Sequence, residues 1–172
     1  MRELVPVVSK SDRVLRFLTP QKIHKKNLRH REVVIYIVDA HRRIYAQKRN
    51  GGMYDHSVAG HVRKGERYIT AALREVKEEV GLRLQPKDLK KIKKVYHRTW
   101  SPLKKYYNDR FFTLYVVKRP VDPKEIRINH ELEAIMPLSV KKIQEIFKKK
   151  NKKYKGGFFI SFPIFLKFFR NK

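Results

Sequence analysis

Glu75, Glu78 and Glu79 are spaced i, i+3 and i+4 within a run, Glu66 to Val80, that contains neither Pro nor Gly. On a helix these three carboxylates share one face, while Ile69, Ala72, Leu73, Val76 and Val80 form an adjoining apolar stripe. Like charges at that spacing repel and weaken a helix unless a cation joins them. A hard divalent ion such as Mg²⁺ takes oxygen ligands and completes its shell with water and substrate phosphate, so the chemistry suggested is metal-assisted attack on a phosphate ester or anhydride. A solvated acidic face is the ordinary origin of Glu-rich helices. Here, however, 16 Asp and Glu stand against 43 Lys and Arg, and Glu66, Glu75, Glu78 and Glu79 fall in one short segment.

The segment from Gly60 to Leu82 places Gly60, Glu66, Arg74, Glu75, Glu78, Glu79 and Gly81 at fixed intervals, with Val76 and Leu82 at the aliphatic positions. It resembles the Nudix box, G-x5-E-x7-R-E-U-x-E-E-x-G-U with U aliphatic, at every position. The resemblance implies an α/β fold, an α/β/α sandwich with a central mixed β-sheet, and hydrolysis of a nucleoside diphosphate linked to another moiety or of a related organic pyrophosphate. It also implies Mg²⁺, with Mn²⁺ as a substitute, held by Glu75, Glu78, Glu79 and the Gly60 carbonyl. Glu79 is the leading candidate for general base, although its two acidic neighbours leave that assignment open. Glu66 and Arg74 are expected to pair around the loop-helix-loop. Arg49 and Tyr54 flank the Gly-rich turn Asn50-Gly51-Gly52 and are candidate substrate contacts; a strand-end surface charge is the plainer account of Arg49.

A wider stretch, about Leu4 to Tyr115, resembles the Nudix branch related to isopentenyl diphosphate isomerase, through His24, His30-Arg31, Gln47-Lys48-Arg49 and Asp55 to His61. In that isomerase a cysteine precedes the matching Gly-His pair; here the position is Ala59. Allylic proton transfer needs an acid and a base on opposite faces of the substrate, so losing one partner removes the mechanism. The branch also implies a metal held by three histidines and two glutamates. His24, His30 and His61 match the former as a second metal site, and near Tyr107-Asn108-Asp109 only Asp109 could stand for the latter. A histidine beside a strand is more often a packing residue than a ligand. The complete box and the missing cysteine together favour a hydrolase.

The elements that must carry these groups follow from pattern. With 172 residues, 41% of them hydrophobic, one domain spanning the chain is expected. Leu4–Val8 and Arg13–Leu18 read as a hairpin, and Val33–Val38 and Arg43–Arg49 as a second hairpin closed by Asp39 to Arg42. Ile92–Trp100, Tyr106–Val117 and Glu131–Pro137 read as further strands, and Ser139–Lys150 as an amphipathic helix begun by a Ser cap. The apolar run from Phe158 to Phe165 is expected to pack on the core. The whole apolar tract, Phe158 to Phe169, is too short to span a bilayer and contains Pro163 and Lys167, so no membrane partner is expected.

A formal net charge of +27 predicts attraction to polyanions. Together with Lys104-Lys105-Tyr106-Tyr107 and Lys152-Lys153-Tyr154-Lys155 it makes RNA binding, or action on RNA ends, the rival to a small-molecule substrate. The plainer alternative is a lysine-rich composition with no such partner. The absence of cysteine excludes disulfides and a thiol nucleophile and agrees with a reducing cytoplasm. No leader is expected, because charges are scattered through Met1 to Thr19.

Overall fold

The computed structural model describes residues 3–49, 53–101, 105–130, 132–148 and 156–171. The glycines of the Asn50-Gly51-Gly52 turn, Lys104 and the Lys152-Lys153-Tyr154-Lys155 run lie outside the described residues.

β1 (Val5–Val8) and β2 (Val14–Leu18) form the expected antiparallel hairpin, followed by a short α1 (Pro20–Lys25). β3 (His30–Tyr36) then enters the centre of a mixed sheet. Its apolar residues on both alternations are explained by burial on both faces, Val33 to Ile37 being almost fully enclosed. It runs parallel to β8 (Tyr106–Val117) and antiparallel to β6 (Val58–His61), and β8 pairs antiparallel with the outer strand β7 (Leu89–Ser101). The order β2-β1-β3-β8-β7, with β6 also on β3, is the larger sheet. A smaller sheet holds β4 (Ile44–Arg49) between β5 (Tyr54–Asp55) and β9 (Leu132–Leu138).

The second predicted hairpin is therefore corrected: β3 and β4 belong to different sheets and touch through one bridge, Val38 to Ile44. The turn itself is where the sequence puts it. Asp39 accepts from the backbone N–H of His41 and of Arg43 at 3.0 and 2.8 Å, and closes an ion pair with Arg43. The chain then diverges, because Gln47 and Tyr45 are drawn into the space between the sheets.

α2 (Tyr68–Val80) packs Ala72, Val76 and Val80 on Val33, Ile35, Tyr115 and Val117, on one face of the larger sheet. It ends at Gly81, whose φ of +74° is a left-handed cap open to glycine at little cost. The opposite face is covered by α3 (Val140–Lys148) and α4 (Gly156–Arg170), which place Ile143, Ile146, Phe158, Phe162 and Phe165 against Val34, Tyr36, Phe112 and Leu114. Ser139 caps α3 by accepting from the Lys142 N–H at 3.1 Å. The terminal aromatic run joins the core as expected, and does so as a helix whose Ser161 hydroxyl lies 2.8 Å from that of Tyr36. Helices on both sides of a mixed sheet make this an α/β/α sandwich.

One acidic residue ties the edges together. Asp12, at the left-handed position of the β1–β2 turn, receives Arg31 at 2.6 Å, the Tyr68 hydroxyl at 3.0 Å and the Lys94 ammonium. It thus joins the first hairpin to β3, α2 and β7.

Candidate active site

α2 presents its glutamates towards β6. Glu75 and Glu79 are buried, whereas Glu78 is exposed at the rim. Gly60 is required by close approach: a Cβ there would lie 2.1 Å from the Glu75 carboxyl carbon and 2.2 Å from its Oε1. Gly60→Ala is accordingly expected to displace the Glu75 carboxylate, cost about 1–3 kcal/mol of stability and weaken Mg²⁺ uptake. Chemical denaturation and Mg²⁺ titration of the same variant check both effects.

Each carboxylate meets an arginine, not a lysine. Glu79 accepts from Arg49 at 2.8 Å, from the Gln47 amide at 3.0 Å and from the Ala59 N–H at 3.2 Å. Glu75 accepts from Arg74 at 2.7 Å. Glu78 is bracketed by Arg63 at 3.1 Å and Arg74 at 3.0 Å. Glu66 pairs with Arg74 at 2.7 Å and accepts from the Arg63 N–H, while Arg74 also donates to the His61 carbonyl at 2.8 Å. The Glu66–Arg74 pairing is thus present, and it locks the strand leading into the loop onto the middle of α2.

Burial pushes the Glu75 carboxyl up to about 7, against the pull of Arg74 and with the repulsion of Glu79 and Glu78 added. Burial raises Glu79 as well, opposed by Arg49 and Gln47. Two buried carboxylates that resist ionisation, beside the exposed carboxylate of Glu78, offer oxygen ligands of the kind a hard divalent cation takes. The donor set therefore fits Mg²⁺ or Mn²⁺, with Glu78 held by half-exposed contacts that are readily exchanged.

Arg49 is turned into this network. Its guanidinium bridges Glu79, Asp55 at 3.2 Å and the Ala59 carbonyl at 3.1 Å, which ties β4 to β5, β6 and α2. Tyr54 packs against the core layer under α3 and α4.

A second cluster forms where α1, β3 and β6 meet. His24, His30 and His61 bring one ring nitrogen each to within 4.8 Å of one another, and among the described residues they are the one group of three His, Asp or Glu that does so. The three glutamates of α2 are not gathered that closely. His30 is fully buried, with Nδ1 3.0 Å from the Leu28 carbonyl and Nε2 3.2 Å from Glu32. His24 stacks on Tyr106 at 4.6 Å, and both line a cleft of about 610 Å³ with His61, Lys25 and Lys105.

Asp109 does not join this cluster. It pairs with Arg29 at 2.7 Å on the other face of β8, because neighbouring strand residues point to opposite sides. The carboxylate at the histidines is Glu32, on β3. Although burial would raise its pKa, Arg110 at 2.9 Å and the contact with His30 hold it well below the usual carboxylate range. Asn108 donates to it at 3.0 Å. Sequence reasoning passed over Glu32, yet its parity with His30 on a strand was the available signal. For Arg63, which reaches Glu78 from a loop, there was none.

A mixed sheet clothed by helices on both sides, with a glycine-backed helix of glutamates facing its edge, defines the class. The NUDIX domain description matches residues 28–158, and the chain belongs to the Nudix family. Over 87 residues it is 31% identical to an isopentenyl-diphosphate Delta-isomerase of Serratia proteamaculans, covering 47% of this chain and 49% of that one. Over 108 residues it is 32% identical to an uncharacterised Nudix hydrolase of Streptomyces coelicolor, covering 57% and 60%. The chain thus spans about half the length of the curated relatives it matches. Among solved structures, one from Deinococcus radiodurans superposes with a TM-score of 0.70 at 19% identity, covering 90% of this chain and 93% of that one, a likeness of fold.

Proposed function

We propose that this chain is a metal-dependent pyrophosphohydrolase acting on a nucleoside diphosphate linked to a further group, or on a related organic pyrophosphate. The observation that carries the proposal is the pair of buried carboxylates, Glu75 and Glu79, held against Gly60 and Ala59 with raised pKa values. Glu75, Glu78, Glu79 and the Gly60 carbonyl are the residues that would hold Mg²⁺ or Mn²⁺, which when bound neutralises phosphate oxygens and acidifies water. Arg74 and Glu66 set the helix against the loop, as supporting groups do at metal sites. Arg49 and Gln47 fix the orientation of Glu79, the carboxylate we assign to take a proton from the attacking water. Family membership favours a diphosphate-bearing substrate. Among the described residues no helix is long and apolar enough to cross a membrane. The lack of cysteine is in keeping with the proposed cytoplasmic location.

Allylic isomerisation is disfavoured because Ala59 supplies no acid where that chemistry needs one. The test is a screen of purified protein against nucleotide sugars, dinucleoside polyphosphates, capped RNA and prenyl diphosphates with Mg²⁺ and Mn²⁺, reading phosphate products. Release of a phosphorylated product from at least one is expected. Conversion of isopentenyl to dimethylallyl diphosphate with no phosphate released would overturn the proposal.

His24, His30 and His61 are proposed as a second metal site, with Glu32 as the neighbouring oxygen donor. Nitrogen-rich ligands of this kind suit Zn²⁺ or Mn²⁺ over Mg²⁺. The wild-type chain dialysed against Zn²⁺ is expected to retain an equivalent that His61→Ala loses or holds at least tenfold more weakly, as read by elemental analysis and competition with a chelating dye. Equal retention by both chains removes the site.

A further inference from the structure

The two strands β7 and β8 run on past α2 as a long hairpin, and the face that α2 leaves uncovered is aromatic and cationic. Tyr115 lies under α2, and Tyr68 at the start of that helix marks the limit of its cover. Beyond it the same face continues through the cross-strand pairs Tyr96–Phe111, Arg98–Asp109 and Trp100–Tyr107. Tyr96, Trp100 and Tyr107 are 45%, 47% and 39% exposed, and they include three of the four most exposed aromatic rings among the described residues. Large rings in water on a sheet face mark a surface used for recognition.

The arrangement of charge says what is recognised. The Arg29 guanidinium lies over the Tyr96 ring at 4.4 Å and that of Arg98 over the Tyr107 ring at 4.1 Å, while Trp100 and Tyr107 meet at 4.9 Å. Lys94 sits 5.2 Å from the Phe111 ring. Tyr96 and Trp100 are four residues apart on one strand, about 13 Å, which leaves room for more than one base between them. Arg29 is held by Asp109 and Lys94 by Asp12, so the Arg98 guanidinium is the cation of this face offered to a phosphate, and exposed planar rings beside it on a chain of net charge +27 match the flat bases and phosphates of an unpaired strand. An apolar protein partner would have no use for the arginines, and a duplex hides its base faces.

We propose that this face of the β7–β8 hairpin binds single-stranded RNA by base stacking. The choice of RNA over DNA rests on the pyrophosphatase reading, since RNA chains begin in a 5′ di- or triphosphate; the stacking surface itself does not depend on it.

Trp100 is the chain's one tryptophan, so its fluorescence reports on this face alone. The full chain is titrated with a 5′-hydroxyl oligoadenylate of about a dozen nucleotides, which offers no pyrophosphate to hydrolyse. Quenching of Trp100 is expected, with the same midpoint as binding followed by anisotropy of a labelled strand. Trp100→Ala with Tyr107→Ala is expected to weaken binding about tenfold or more at fixed salt. The slope of log affinity against log salt should stay unchanged, because no cation is removed. Hydrolysis of free nucleotide substrates by this double variant should equal that of the wild type. Absence of binding, binding without quenching, equal affinity of the double variant, or equal affinity for an RNA duplex each overturns the stacking surface. The deoxyadenylate strand binding as tightly overturns the choice of RNA while leaving the hydrolase reading untouched.

Discussion

A Glu79→Gln chain is expected to hydrolyse its best substrate at least about a hundredfold more slowly than the wild type, with little loss of stability. The kinetic loss follows from the proposed role: the amide cannot take a proton from water and is a poorer ligand for a hard cation. The stability follows from the surroundings. Gln keeps one oxygen to accept from both Gln47 and Ala59 while its NH₂ faces Arg49, so one hydrogen bond of the network is lost and the burial of a charge is relieved at the same time. Arg49 retains Asp55. Steady-state hydrolysis beside a thermal melt separates the two effects. A variant with near wild-type turnover on every accepted substrate moves the proton-accepting role elsewhere.

The second large effect is a pH dependence of stability with Glu75 as its source. The carboxyl goes from an ordinary 4.5 to about 7 on folding. Between these values the native state holds a proton that the unfolded chain has released, so with metal chelated the protein gains stability as pH falls through that window and loses it as pH rises towards 7. Above 7 the charged form is buried in full, at a cost of about 3 kcal/mol. Glu75→Gln removes that penalty. In the presence of a chelator its melting temperature should exceed that of the wild type at pH 8, and the difference should shrink towards pH 5. A bound divalent ion favours the ionised form, so Mg²⁺ uptake at pH 7 should release a proton from the wild type and not from the variant, as calorimetry in buffers of different ionisation enthalpy would show. Parallel melting curves for the two chains across this range refute the assignment.

What could be read from the chain was whatever is written locally. The helix from Tyr68 to Val80 and its Gly81 cap were legible because an apolar period of 3.6 and a glycine stop are local signals. The observed start falls two residues later than the Glu66 expected, since Glu66 accepts from the Arg63 N–H in the preceding turn. The β3–β4 relation was not legible: an apolar run, a turn and another run look alike whether the chain returns along the same sheet or crosses to the next. The aromatic run of α4 lacks a polar face, so period cannot choose its conformation, although its burial was foreseen. At the site, carboxylate spacing was readable, but its countercharges were not. Arg74 is the sequence neighbour of Glu75, but Arg49 and Arg63 reach Glu79 and Glu78 across sequence gaps, and in a chain with 43 basic residues nothing in the order says that those two will.

The Asp12 junction makes tolerance to mutation lopsided. A chain this rich in lysine can exchange most of its cations one for another, since each is a replaceable member of a crowd. An acid that serves three donors has no such substitute, and drift at Asp12 would loosen four elements at once. Selection on such a protein should therefore be felt far more strongly by its minority charge than by the majority that dominates its composition.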